Sequence, residues 1–155
     1  PHIRRRIPPN VMGAQYRGKR IMGANDAATR INLADAITFS AEARTNRALM
    51  TTSVAEVRMN CYEPGQVTPM HMHPDEDEVM YIVEGRGRVI FEGRDDLPIS
   101  QGELVCLPSD QFHSIVAAPD SRMVLIYFMK PGYGSVRPDS APTTTAAGRL
   151  HGERV

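Results

Sequence analysis

Residues 65–85 read GQVTPMHMHPDEDEVMYIVEG, and this stretch decides the fold. His71 and His73 are separated by one residue, and on a β-strand such positions share a face, with Cα atoms about 6 to 7 Å apart. Two imidazoles at that spacing can bind one metal ion, whose bonds to nitrogen are about 2.1 Å long. Simple alternation places Glu78 on the opposite face from His73. A site that includes this carboxylate therefore requires a turn, which Pro74-Asp75 provides.

A third histidine, His113, extends this candidate site from far along the sequence. It follows a turn at residues 108–110 and begins an apolar segment. If the hairpin and this remote strand meet inside one barrel, four candidate metal ligands come together: His71, His73, Glu78 and His113. Imidazole and carboxylate together suit one divalent transition metal: Fe(II), Mn(II), Ni(II), Cu(II), Co(II) or Zn(II). Glu76 is the alternative carboxylate ligand.

The spacing of the first three ligands resembles the first motif of the cupin superfamily. That motif here comprises Gly65, five residues, His71-Met72-His73, four residues, Glu78, six residues and Gly85. Every position is filled at the expected spacing. A lone His-x-His would be weak evidence, but a carboxylate and two glycines at these offsets make the pattern specific.

A second stretch, from Gly102 to Ala117, resembles the second cupin motif and includes His113. It departs from the family pattern twice, with Asp110 where the family usually has Gly and Ala117 where it often has Asn. Asp tolerates the left-handed turn conformation better than most residues. The resemblance implies a small single-domain cupin, in which one metal is held inside a jelly-roll barrel, also called a double-stranded β-helix.

The pattern of short strands and turns around these motifs also favours an all-β sandwich or barrel. Apolar residues alternate with polar ones along residues 57–62, as expected of a half-buried strand. The other predicted strands are 67–73, 79–83, 88–92, 103–107, 113–117 and 123–129. Residues 34–43 could form a helix by composition, but Ile37-Thr38-Phe39 fits a short strand equally well and is interpreted as one. The sequence thus predicts an N-terminal arm (1–20), the barrel (21–130) and a C-terminal tail (131–155) without chemistry.

Composition and charge limit the classes of function. The 155 residues suffice for one domain, and the 18 basic residues balance the 18 acidic ones. This balance argues against nucleic acid as a partner. The longest apolar run, Met123 to Met129, is too short to span a membrane. We expect a cytoplasmic protein, and a homodimer in which the basic arm adds to the partner's sheet.

Several residues beyond the ligands are candidates for a substrate pocket. Met80 shares the face of Glu78 and Ile82 follows it, so the two are expected to form an apolar pocket floor. Arg58 is a candidate to bind a substrate carboxylate, and Tyr127 is a candidate catalytic hydroxyl.

Three functions are consistent with these residues. The first is a non-haem dioxygenase, with Fe(II) as the favoured metal and a small-molecule substrate such as a diol, a diketone or an enol. The second is a metal-assisted lyase, decarboxylase or sugar isomerase, which needs a general base such as Tyr127 or Glu92. The third is a cupin that binds a small molecule without enzymatic activity. Function belongs to the site and not to the scaffold, so the resemblance alone does not choose among them.

Overall fold

A computed structural model of the protein describes residues 28–139. In this range one short helix precedes eight strands. The helix is α1 (Leu33–Ala36), and the strands are β1 (Thr45–Thr51), β2 (Glu56–Tyr62), β3 (Val67–His71), β4 (Glu78–Phe91), β5 (Leu97–Ser100), β6 (Leu104–Leu107), β7 (His113–Ala117) and β8 (Met123–Met129). All strand pairs are antiparallel.

The strands follow the order β1-β2-β8-β4-β7-β3, while β5 and β6 also pair with β4. The first half of β4 pairs with β6 and β8, and its second half pairs with β5 and β7. One 14-residue strand therefore belongs to two sheets, which enclose the core between them. This arrangement confirms the predicted all-β jelly-roll architecture.

Two glycines allow β4 to pass from one sheet to the other. Gly85 has a φ of +76°, and a Cβ there would lie 1.8 Å from the carbonyl oxygen of Arg122. A Cβ at Gly87 would lie 2.2 Å from the carbonyl oxygen of Val116. The sequence predicted two separate strands, 79–83 and 88–92, which is wrong because these glycines let the neighbouring backbones approach and pairing continues through them.

Residues 33–39 cover the outer face of the sheet that contains β1, β2 and β8. Asn32 caps α1 by accepting a hydrogen bond from the backbone N–H of Ala34 at 3.2 Å. Ile37 and Phe39 then pack against a second apolar cluster that includes Met59. The predicted strand at 37–39 is therefore wrong. This segment packs its side chains onto a sheet, and its backbone does not pair within one. Strands β1 and β5 were not predicted.

The predicted N-terminal arm, residues 1–20, lies outside the described residues. Of the predicted tail, residues 131–139 are described, and they contact the candidate site below. Among the described residues, no helix combines the length and apolar character that crossing a membrane requires.

Candidate metal centre

The structure brings the four predicted ligands together, and they are called the ligand cluster below. Their candidate ligand atoms all lie within 4.8 Å of one another, and three of the four residues are buried. His71 ends β3, Glu78 begins β4 and His113 begins β7. His73 lies just beyond β3, and the members of the cluster are His71, His73, Glu78 and His113.

The turn between His73 and Glu78 breaks the simple alternation of a strand. As a result, the two side chains reach the same cluster instead of pointing to opposite faces. Asp75 adopts a left-handed conformation with a φ of 61°. The N–H of Asp110 donates to the carbonyl oxygen of His73 at 3.1 Å, and Asp77 accepts from the N–H of Ser109 at 2.9 Å. Asp110 itself has a φ of 59°, so it adopts the left-handed conformation expected from the sequence at this turn.

Each histidine of the cluster is oriented by a backbone carbonyl at its Nδ1 atom. The accepting oxygens are those of Pro69 for His71 at 2.8 Å, Gly134 for His73 at 2.6 Å and Gln111 for His113 at 2.9 Å. A carbonyl oxygen can only accept, so Nδ1 carries the proton and the neutral ring presents a lone pair at Nε2. Metal-binding histidines are oriented and tuned in this way.

Two buried acceptor atoms face each other at the centre of the cluster. The Nε2 atom of His113 lies 3.2 Å from Oε2 of Glu78, yet neither atom forms a hydrogen bond among the described residues. With Nδ1 of His113 donating to Gln111, both facing atoms carry lone pairs, and a cation between them would satisfy both. The residues present therefore fit a divalent metal held by three imidazoles and one carboxylate.

The environment shifts the pKa values of the cluster in different directions. Burial, followed by repulsion from His113, lowers the pKa of His71 to about 4. Burial also lowers the pKa of His73, but the nearby Glu78 carboxylate and the hydrogen bond to the Gly134 carbonyl outweigh it, so this pKa is raised. Burial raises the pKa of Glu78, but His113 and His73 outweigh that effect and hold it at about 2. Glu78 is thus a carboxylate at neutral pH.

A cavity of about 280 Å³ opens beside the cluster. Its wall is largely polar, and a hydrogen-bond network links part of it. The Nδ2 group of Asn46 donates to Oδ1 of Asn60 at 2.7 Å and to the Tyr127 hydroxyl at 2.8 Å. The Tyr127 hydroxyl lies 2.9 Å from that of Tyr133. The candidate hydroxyl of Tyr127 is therefore at the cavity wall.

The other predicted pocket residues lie elsewhere. Met80 and Ile82, expected as the pocket floor, are instead 0% exposed in the core and do not line the cavity. As predicted, they share the inward face of β4 with Glu78. This part of the barrel interior, however, is filled by side chains. Arg58 is bonded to Glu56 at 2.7 Å and to Asn46 at 2.7 Å, and it also lies outside the lining.

The two alternative carboxylates are also outside the cluster. Glu76 lies 3.5 Å from Nζ of Lys130, and Glu92, proposed as an alternative base, is exposed. Neither lines the cavity.

The sequence interpretation missed a strap, defined here as residues 131–137, which contacts the site. Met72 and Val136 exchange two backbone hydrogen bonds of 3.0 Å, and Gly134 supplies the carbonyl that orients His73. Tyr133 and Arg137 line the cavity. Low apolar content concealed this role, although Tyr133 is the only aromatic residue after position 130.

Comparisons with known proteins agree with this fold. Residues 58–129 match the family model described as a cupin domain. The chain matches no curated protein sequence. A Klebsiella pneumoniae protein with a double-stranded β-helix domain is 14% identical with a TM-score of 0.65, and the match covers 71% of this chain and 96% of that one. A Thermus thermophilus protein is 20% identical with a TM-score of 0.61, and the match covers 66% and 96% of the two chains.

A third similar structure is the DMSP lyase DddQ of Ruegeria pomeroyi. It is 16% identical with a TM-score of 0.56, and the match covers 68% of this chain and 61% of that one. Identities this low show a shared fold and not a shared activity. Together, the family match, the jelly roll and the ligand spacing show that this chain carries a small domain of the cupin superfamily.

Proposed function

We propose that this protein is a metal-dependent enzyme that acts on a small, polar organic molecule bound in the cavity beside the ligand cluster. The observation that carries the proposal is the pair of buried, facing acceptor atoms on His113 and Glu78. The cavity volume of about 280 Å³ is just below the range of about 300–1,000 Å³ typical of drug-sized ligands, which favours a small substrate.

The ligand cluster would hold one divalent transition metal, with Fe(II) the metal favoured from the sequence. Such a metal supplies a Lewis acid that polarises a bound oxygen and orients the substrate. The chain contributes three Nε2 atoms and one carboxylate, and a six-coordinate ion would keep two positions for other ligands. The three carbonyls bonded to Nδ1 keep the rings oriented in the absence of substrate.

The two tyrosines are suited to donate hydrogen bonds to a substrate. Burial, followed by the hydrogen bond to Tyr127, raises the pKa of Tyr133, so its hydroxyl stays protonated at neutral pH. Asn46 donates to Tyr127, and the Tyr127 and Tyr133 hydroxyls share a hydrogen bond in which either can be the donor. A hydroxyl of this pair that donates to a substrate oxygen would stabilise negative charge developing there.

These features favour the lyase, decarboxylase or isomerase alternative over the dioxygenase first favoured from the sequence. The expected apolar floor of Met80 and Ile82 lies in the core, and the wall is polar instead. A protonated tyrosine beside a Lewis acid suits reactions that build charge on a carbonyl or carboxylate oxygen.

An Fe(II) dioxygenase acting on a diol, diketone or enol is the second candidate. It is favoured by the raised pKa of Tyr133, because a phenol that holds its proton is a poor general base and oxygen chemistry does not require one.

One experiment tests the metal and separates the two reactions. Chelator-treated protein is reloaded with Fe(II), Mn(II), Ni(II) or Zn(II), and its metal content is measured. Turnover of small hydroxy acids, oxo acids, diols and diketones is then followed with and without oxygen. We expect one metal per chain and turnover without oxygen, whereas turnover that consumes oxygen would establish the second candidate.

Two variants provide the controls for the metal. His113→Ala should lose stoichiometric metal and activity, because it removes a ligand. Gln111→Ala keeps the carbonyl that orients His113 and should keep both. Failure of the wild-type protein to bind metal would overturn the proposal. Metal binding with no turnover, but with a ligand-dependent rise in melting temperature, would indicate a binding protein instead.

A further inference from the structure

Arg44 is a cationic side chain in the cavity wall whose charge has no counter-ion among residues 28–139. It directly precedes β1, and its Nη1 donates to Oδ1 of Asn60 at 3.0 Å. Its Nε is buried and has no hydrogen-bond partner within residues 28–139. No carboxylate of this part of the chain forms a salt bridge with it. Within these residues, Arg44 donates its hydrogen bond to a neutral amide and not to a carboxylate.

Such an arrangement favours an anionic ligand. Withdrawing a guanidinium from water without an anionic partner costs free energy, and a carboxylate matches its planar fork with two parallel hydrogen bonds. The charged residues that line the cavity are Arg44, Arg137 and Glu78. Glu78 lies against His73 and His113, 3.6 and 3.2 Å away, so its charge is directed into the ligand cluster.

Arg58, the arginine that the sequence indicated for a substrate carboxylate, already has an anionic partner. Its Nη1 lies 2.7 Å from Oε1 of Glu56, and its Nε donates to Oδ1 of Asn46. Arg44 differs because Asn60 leaves its positive charge uncompensated.

We propose that the substrate is a small carboxylate and that Arg44 is the residue that selects it. The carboxylate accepts from Arg44 on one side of the cavity, while the rest of the molecule extends towards Tyr133 and the ligand cluster. This inference rests on the proposed function because it assigns a substrate class to the same cavity.

The test compares L-lactate with L-lactamide, which has nearly the same shape but no charge. Dissociation constants are measured by protein NMR titration at neutral pH on chelator-treated protein, so that carboxylate–metal bonding does not contribute. We expect lactate to bind at least about tenfold more tightly than lactamide, since a hydrogen bond to a charged group typically gives at least that factor.

Three variants locate the effect. Arg44→Gln should weaken lactate binding about tenfold or more and leave lactamide binding unchanged, so that the discrimination disappears. Arg44→Lys keeps the charge but not the fork and should retain part of it. Arg47→Gln is the matched control, because it removes an exposed arginine of β1 that bonds to the carbonyl of Ala36, and it should behave as wild type.

Equal affinity of the wild-type protein for the two compounds, or no lactate binding, would overturn the proposal. Unchanged lactate binding in the Arg44→Gln protein would do the same. If Arg44→Gln fails to fold, as shown by its melting temperature, the wild-type comparison and Arg44→Lys decide. Failure to take up metal would overturn the proposed function and leave this charge discrimination intact, so the two failures are distinguishable.

Discussion

At the scale of single residues, the site depends on which nitrogen of each histidine carries the proton. A backbone carbonyl accepts from Nδ1 of all three rings in the ligand cluster, so the Nε2 lone pairs converge without help from other side chains. The carbonyls of Pro69 and Gln111 are each two residues from the histidine they orient. That of Gly134 is 61 residues away from His73, which makes His73 the ligand that depends most on tertiary structure.

The pKa values of the cluster predict how metal binding responds to pH. His73 has a raised pKa, and below that pKa the metal must displace a proton from its ring. His71, in contrast, stays neutral down to about pH 4, and Glu78 stays ionised down to about pH 2. We expect the metal affinity to fall by at least about tenfold per pH unit as the pH decreases below the pKa of His73, the slope for at least one competing proton.

Calorimetric titrations with Zn(II) at several pH values measure this slope and the number of protons released. An affinity that is independent of pH below neutrality would contradict the prediction.

At the scale of elements, two pieces of chain hold the site in place. Strand β4 begins with Glu78 and passes through Gly85 and Gly87 into the second sheet, where its last residue, Phe91, is paired with His113. This strand therefore connects two of the metal ligands. The strap pairs with the backbone of Met72, which lies between His71 and His73. Its residue Gly134 supplies the carbonyl that orients His73.

Gly85→Ala should destabilise the protein by about 3 kcal/mol or more. The left-handed conformation costs a residue with a Cβ about 1–2 kcal/mol, and the contact at 1.8 Å with the Arg122 carbonyl adds overpacking of about 1–3 kcal/mol. Gly93→Ala is the matched control, because its φ is +74° and no atom lies within 4 Å of a Cβ there. It should cost only the conformational part.

Urea denaturation of both variants, analysed with a common m-value, measures the difference in free energy of unfolding. Equal losses in the two variants would show that the close approach at Gly85 relaxes without cost.

Val136→Pro should weaken metal binding about 10- to 100-fold, the usual effect of losing a group that orients a metal ligand. Proline lacks the N–H that Val136 donates to the Met72 carbonyl at 3.0 Å, so the strap loses its pairing and Gly134 its position against His73. Val136→Ala keeps this N–H and serves as the control. Competition with a chromophoric chelator gives both affinities, and equal values would show that the strap does not position His73.

At the scale of the whole molecule, strand β1 offers a sheet edge at which another chain could associate. β1 is at one end of the strand order, and no strand of the described part pairs with its second edge. Unpaired edges favour association with another chain. Strand β1 and its neighbour β2 contribute Asn46 and Asn60 to the cavity wall. Association at β1 would therefore occur close to the proposed substrate site.

We expect the protein to be a homodimer that needs residues 1–20, the basic arm inferred from the sequence. Light scattering after size-exclusion chromatography should show a lower mass per particle when these residues are removed. The metal content of the shortened protein checks that the barrel is intact. An unchanged oligomeric state with full metal content would refute the role of the arm.

The sequence alone predicted the class of fold and the four candidate ligands, because strand alternation and the spacing within each motif are local patterns. Strands β7 and β8 coincide with the predicted apolar segments, and the offsets from Gly65 to Gly85 specify a turn and a shared face within one hairpin. Tyr127, named from the sequence as a candidate hydroxyl, lines the cavity.

Only the tertiary structure decided what surrounds the ligands. The strap has no apolar periodicity, and it lies on the site because backbone groups of Met72 and Val136 pair across a gap of more than sixty residues. Alternation indicates which side chains point inward, but whether an inward side chain fills the core, like Met80, or lines a cavity, like Tyr127, depends on how far the two sheets separate at that level. That separation results from the packing of strands distant in sequence, which no local pattern records.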